Sequence, residues 1–327
     1  VTNKSAKSKY IKSYEFMLLC VVVILAAVLA AITGGKSIKP NNIVDLLTSY
    51  SAYGVIAVGC LFVIISGGID ISFMAVGAVA QYLAALFMLN MGGNFIAVYL
   101  ISAIVGALLG FINAVLVNRL RVPTLIITIA TMNIIYGLMM RLTSGVRLHG
   151  FPAWFAQKTK VSLFAVSVGT LLAVLAAAWY ILKKTKRGRK VYAVGGNAEA
   201  ARRCGVSVLQ VHLFVYGFAG ATAGIGALIK CYLSQQASIE ALYGNEMDVL
   251  AMVVLGGVAL SGGKGSVSGT FLGILLVALL SNGMILVGVS SYWEDLVIGA
   301  VILISFCVTG WRVLASKREE RKGGAAE

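Results

Sequence analysis

The chain has 327 residues, of which 59% are hydrophobic and only 12% charged, with 27 Lys and Arg against 12 Asp and Glu. Soluble globular chains carry about 25% charged residues, so this composition excludes a water-soluble domain. The net charge of +15 suits a nucleic-acid binder at first sight. Its placement excludes that partner, because the basic residues sit beside apolar runs, where they set orientation in a bilayer.

Residues 1–14 form a basic tail with Lys4, Lys7, Lys9 and Lys12. No polar side chain occurs between Phe16 and Ile32, and almost none between Val161 and Leu182. Runs of this length match the roughly 30 Å hydrocarbon core of a bilayer. Backbone polar groups there need internal partners, so the spans are helices. The runs do not alternate as barrel strands do. The expectation is an all-α polytopic protein with about ten spans, near 15–33, 51–66, 72–91, 95–117, 123–141, 161–182, 211–233, 247–261, 267–288 and 293–311. The transmembrane domain is then 15–311, with tails at 1–14 and 312–327. No cleavable signal is read at the start, since no small-residue cleavage site follows the first run.

Orientation follows from Lys and Arg. With the N-terminus inside and ten spans, both tails are cytoplasmic. Most of the 27 basic residues then fall inside: the tails, Arg119, Arg121, Lys264 and the cluster between Lys183 and Arg203. The segment 66–71 is an exception. It carries no basic residue, and it reads either as a cytoplasmic loop or as a break within the membrane.

Two glycine-rich segments look alike. Ser66-Gly67-Gly68-Ile69-Asp70-Ile71-Ser72 and Ser261-Gly262-Gly263-Lys264-Gly265-Ser266 each follow an apolar run and precede a small-residue helix. Internal duplication, common in transporters, and convergence of turns both account for them. Asp70 is the sharpest single residue, because a charge at membrane depth costs at least ~2.5 kcal/mol. It either caps the next helix or lines a pathway. Ser66, Asn113, Thr131, Asn133 and Asn282 join it as pathway candidates. Each is equally readable as a polar contact holding helices together. As a set they give an interior that is polar and uncharged, suited to a neutral polar solute.

The cytoplasmic loop 183–210 holds a polar island. Asn197 is a good N-cap, Glu199 lies in the first turn, Arg202 and Arg203 in the last, and Gly205 at the left-handed position beyond the end. Residues 198–204 therefore form about two turns, roughly 10 Å long. So short a helix needs packing to persist. Ala198, Ala200 and Ala201 give it a smooth face able to enter a groove. The alternative is an inert surface turn.

Catalytic and cofactor signals are missing. Gly262-Gly263-Lys264-Gly265 fails the phosphate-loop pattern, since Gly265 stands where Ser or Thr must follow the lysine. The histidines, His149 and His212, have no nucleophile or metal partner nearby in sequence. The five cysteines show no zinc spacing. No catalytic residue, metal site or cofactor is expected.

Four motifs in order carry a resemblance to a known family. They are the segment from Ile65 to Ser72, Val122-Pro123-Thr124-Leu125-Ile126-Ile127-Thr128-Ile129-Ala130-Thr131-Met132, Gly195-Gly196-Asn197-Ala198-Glu199-Ala200-Ala201-Arg202, and Leu255-Gly256-Gly257-Val258-Ala259-Leu260 running into 261–266. Together they resemble the permease subunits of bacterial ATP-binding cassette importers for ribose and other simple sugars. That group includes nucleoside permeases and is related to branched-chain amino-acid permeases. The resemblance implies a multi-pass subunit of the bacterial plasma membrane, not an enzyme. It also implies three protein partners: a cytoplasmic ATPase, an extracytoplasmic solute-binding protein and a second permease chain. By the same resemblance Gly196, Asn197, Glu199, Ala200, Ala201, Arg202 and Gly205 form the ATPase-coupling element. The chain departs from the family at Phe73 and Met74, bulkier than the usual Val-Gly, which bears on the particular solute. The alternatives are a nucleoside permease and an ion-coupled secondary transporter, the latter using Asp70 with Glu246 or Asp248.

Overall fold

The computed structural model describes residues 2–120 and 122–290, together with 293, 296, 297, 299, 300 and 303, and side chains from Tyr14 onward. Among them twelve helices follow one another: α1 (Thr2–Ile32), α2 (Pro40–Ile65), α3 (Phe73–Met91), α4 (Phe95–Leu120), α5 (Thr124–Thr143), α6 (Ala153–Ala156), α7 (Lys160–Lys184), α8 (Lys186–Gly196), α9 (Ala198–Arg203), α10 (Val208–Ser234), α11 (Glu246–Leu255) and α12 (Val267–Val287). Eight of these are long and apolar enough to cross a membrane: α1 from Tyr14 onward, α2, α3, α4, α5, α7, α10 and α12. The protein is an all-helical polytopic membrane protein.

Three differences from the sequence expectation have physical causes. The second span starts at Pro40, not near 51, because Pro pre-sets the first helical turn; its polar early residues Asn41, Asn42 and Asp45 conceal that turn from a hydropathy reading. The span expected over 247–261 is a helix only from Glu246 to Leu255. Ten residues rise about 15 Å, half of a bilayer core. The span expected over 293–311 falls largely outside the described residues.

The core is built on α2, α3 and α10, the most buried of the long helices. α10 packs most extensively on α4. Both carry small residues at helical spacing: Ser102, Gly106 and Gly110 on α4, and Gly217, Gly220 and Gly224 on α10. A Cβ on Gly106 would strike the Gly220 carbonyl, and one on Gly220 would strike the Gly106 carbonyl. Ser102 Oγ donates to the Gly224 carbonyl at 2.8 Å. Such seams let backbones approach where no hydrophobic force favours one apolar helix over lipid.

The chain between α10 and α11 turns inward. Gln81, near the middle of α3, donates to the Ser238 carbonyl at 2.7 Å, and Tyr53, near the middle of α2, meets Asn245 Oδ1 at 3.4 Å. α11 therefore starts beside the middle turns of its neighbours and runs to the end of the bundle where the Lys- and Arg-rich segments gather. Residues 66–72, 185–207 and 256–266 all lie at this basic end. The opposite end holds the aromatic cluster of Phe95, Trp154, Phe155 and Tyr232.

Candidate functional site

The polar island folds as α9. Asn197 Oδ1 accepts from the Ala200 amide at 2.9 Å, closing the first turn. At the far end the Val206 amide reaches the Ala201 carbonyl at 3.0 Å and the Gly205 amide reaches Arg202 at 2.9 Å. This is the paired closure that a glycine in the left-handed region permits, and Gly205 has φ 76°. Glu199 and Arg203 pair at 3.4 Å across one turn. Only Ala201 is buried; Ala198, Glu199, Ala200, Arg202 and Arg203 all face outward.

α8 went unseen in the sequence, where its Lys and Arg read only as orientation signals. Thr185 starts it by accepting from the Gly188 amide at 3.1 Å, and Val191, Val194 and Gly195 form its buried face. Gly195 closes it onto the bundle. Any side chain there would collide with the Ile65 carbonyl and come within 2.8 Å of the Gly263 amide. That amide donates to the same Ile65 carbonyl at 2.8 Å. Gly262, at φ 80°, lies so near that a Cβ on it would sit 2.7 Å from Gly67 Cα and 2.6 Å from the Gly195 carbonyl. The two look-alike glycine segments thus touch each other, and both touch the end of α8.

Side chains fasten this junction to the spans. Thr124 on α5 accepts from the Ile69 amide at 2.9 Å, and Thr128 accepts from Ile71 at 3.3 Å. Asp70 is buried, and its Oδ1 accepts from the Ser72 amide at 2.7 Å and from Ser72 Oγ at 2.6 Å. Asn113 on α4 donates to Ser72 Oγ at 2.6 Å. Burial pushes the Asp70 carboxyl up to about 6, against the lowering effect of its Ser72 bonds. On the other loop, Tyr192 of α8 donates to the Gly265 carbonyl at 2.8 Å, and burial pushes its hydroxyl up to about 12. Glu15 of α1 accepts from Ser266 and Ser268, each at 2.6 Å.

The other pathway candidates fall in different places. Ser66 is buried and donates to the Val63 carbonyl at 2.7 Å. Thr131 donates to Thr128 of its own helix at 3.1 Å. Asn282 exchanges hydrogen bonds with Asn42, at 2.9 and 3.3 Å, towards the opposite end. Asn133 lies on the exposed face of α5 with Ala130 and Gly137. Near that face Tyr136 stacks on Tyr243 at 4.5 Å. Sequence reasoning did not single out these tyrosines. Glu246, the first residue of α11, is buried, and its Oε1 has no partner among the described residues.

The described site is a set of close backbone contacts around Gly195 beside the exposed small residues of α9. The fold is that of a multi-pass helical membrane protein, and its family makes it a permease, a transporter component and not an enzyme. The chain belongs to the family described as branched-chain amino acid transport system / permease component, whose model matches residues 42–306. It is 35% identical to the ribose import permease protein RbsC of Bacillus subtilis, over 89% of this chain and 90% of that one. Identity to the Escherichia coli K12 ribose import permease protein RbsC is 33%, over 87% and 92%. The autoinducer 2 import system permease protein LsrC of Yersinia pseudotuberculosis is 34% identical, over 76% and 71%. No solved structure matches significantly. As a permease subunit of an ATP-binding cassette importer of the bacterial plasma membrane, the chain works with an ATPase and a solute-binding protein.

Proposed function

We propose that this chain imports a simple sugar of the ribose type, forming the pathway with a second permease chain, identical or similar. The tails and the segment 183–210 face the cytoplasm in this reading, and α9 docks into a groove of the ATPase. The observation that carries it is the joint at Gly195. A movement of α9 reaches α8, passes through Gly195 to the loops at 65–68 and 262–263, and from there reaches α5 through Thr124 and Thr128. The exposed face of α5, with Asn133 and Gly137, then lines the pathway together with Tyr243 and the start of α11. Aromatic rings and uncharged polar groups suit a neutral polyol. The midpoint start of α11 resembles the broken helices on which many transporters build their solute sites.

The resemblance to ribose permeases over most of the chain supports the solute class, and the solute-binding protein carries most of the selection. Co-expression with the ATPase and reconstitution with the binding protein test the reading. Glu199→Lys combined with Arg202→Glu is expected to cut ATPase association and ribose uptake more than tenfold while leaving the folded permease intact by size-exclusion chromatography. Unchanged association and uptake would exclude α9 as the coupling element. Uptake of another solute at full rate, with none of ribose, would exclude the sugar assignment alone.

A further inference from the structure

A cavity of 640 Å³ opens at the basic end between α4, α9 and the start of α10. Its walls have two characters. Arg119, in the last turn of α4, and Arg202, in the last turn of α9, bring exposed guanidinium groups to it. Neither has an acidic partner among the described residues. α10 begins at the same place behind its Ser207 cap, so the positive end of a 27-residue helix adds to the field. The remaining wall is apolar, with Val115, Leu209 and Leu213. That apolar surface continues up α4 through Ile112 and Leu108, both more than half exposed.

Asn118 also lines the cavity, and its Nδ2 lies 2.9 Å from His212 Nδ1, which ties α4 to α10. Free water and salt suit the cationic wall and leave the apolar wall unsatisfied, whereas a neutral apolar ligand does the reverse. The occupant these walls select is an amphipathic anion, with a phosphate for the two guanidinium groups and a hydrocarbon chain for the face of α4.

We propose that this cavity binds the headgroup of an anionic phospholipid, its phosphate between Arg119 and Arg202 and an acyl chain along Val115 and Ile112. The proposal takes from the transporter reading only its membrane orientation, which places the cavity at the inner leaflet. Arg202 and Gly205 belong to the candidate coupling segment as well as to the cavity wall. A bound lipid therefore holds that segment against α4 and adds to its packing.

Native mass spectrometry of the permease–ATPase complex tests this, with phosphatidylglycerol offered against phosphatidylcholine. One phosphatidylglycerol is expected to remain on each permease chain, with no retained phosphatidylcholine. Arg119→Ala is expected to lower that retention about fivefold, the worth of one basic residue near an anionic membrane surface. Val115→Trp, which fills the apolar half and leaves the charge in place, is expected to lower it as well. Size-exclusion profiles and thermal unfolding identify any variant that fails to fold, and the other variant then decides. Equal retention by the parent and the folded variants overturns the proposal. Displacement by millimolar inorganic phosphate, with Val115→Trp unaffected, overturns it in favour of a free-anion site. Retention by the isolated permease alone, lost in the complex, overturns it in favour of an ATPase contact.

Discussion

The two glycine-rich loops open on the same Ser-Gly-Gly and differ in how they are held. The loop at 66–72 is fastened by side chains of the spans: Thr124, Thr128 and Asn113 reach its amides and Ser72, and Asp70 folds it back on itself. The loop at 261–266 is held by parts at the edge of the bundle: α8 through Tyr192, α1 through Glu15, and the backbone of its counterpart through Gly263. One loop is fastened to α4 and α5, and the other to α1 and α8. Gly195 stands between them. The end of α8 at Gly195 therefore meets two loops that are held by different sets of helices.

The largest expected effect tests the contact between the loops. Gly195→Val has no room, because the Ile65 carbonyl and the Gly263 amide occupy the space. A destabilisation of at least about 3 kcal/mol, the scale of severe overpacking, would appear as a lowered unfolding temperature and lost solute uptake. An unchanged unfolding temperature would mean that the loops part easily, and the comparison above would fail.

Asp70→Asn probes the anchored loop. The folded chain holds the Asp70 proton more tightly than the unfolded chain does, since burial raises its pKa to about 6. Its contribution to stability is therefore fully present below the ordinary carboxylate range and is lost as pH rises through about 6. Asparagine keeps an oxygen for both Ser72 bonds and never ionises. The variant is expected to be more stable than the parent at pH 7.5, by a difference of order 3 kcal/mol or less, and the gap should narrow steadily towards pH 4.5. Thermal unfolding across that range measures it, and a gap independent of pH would show that Asp70 does not titrate there.

Tyr192→Phe probes the peripheral loop and is the mildest change. It removes one hydrogen bond, to Gly265, worth about 1 kcal/mol. The expected readout is faster hydrogen exchange confined to 259–266, with 66–72 unaffected. Equal exchange in both loops would show that they move as one body.

Much of the fold was legible in the residues. Long apolar runs with no partner in hydrocarbon except their own backbone can only be helices, and Lys and Arg clusters marked one end of the bundle. Asn197, Glu199, Arg202 and Gly205 carried the limits of α9 because capping is a matter of neighbours in sequence. α8 escaped because a basic helix leaning on a bundle has the same composition as a solvated loop. The short α11 escaped for the opposite reason: its apolar run continues past Leu255 into 256–260, where Gly256 and Gly257 end the helix. Tyr136 and Tyr243 meet across more than a hundred residues, and neither lies in a local pattern.

By itself the sequence determined the local matters: helical spans, the basic end, the capped island and the absence of room for a soluble core. Each of these depends on residues within a few turns of one another. The tertiary structure alone decided that Gly67, Gly195 and Gly262 share one joint and that α11 begins at mid-height. Those facts depend on contacts between parts of the chain distant in sequence. A glycine records that an approach is possible and carries no mark of what approaches it.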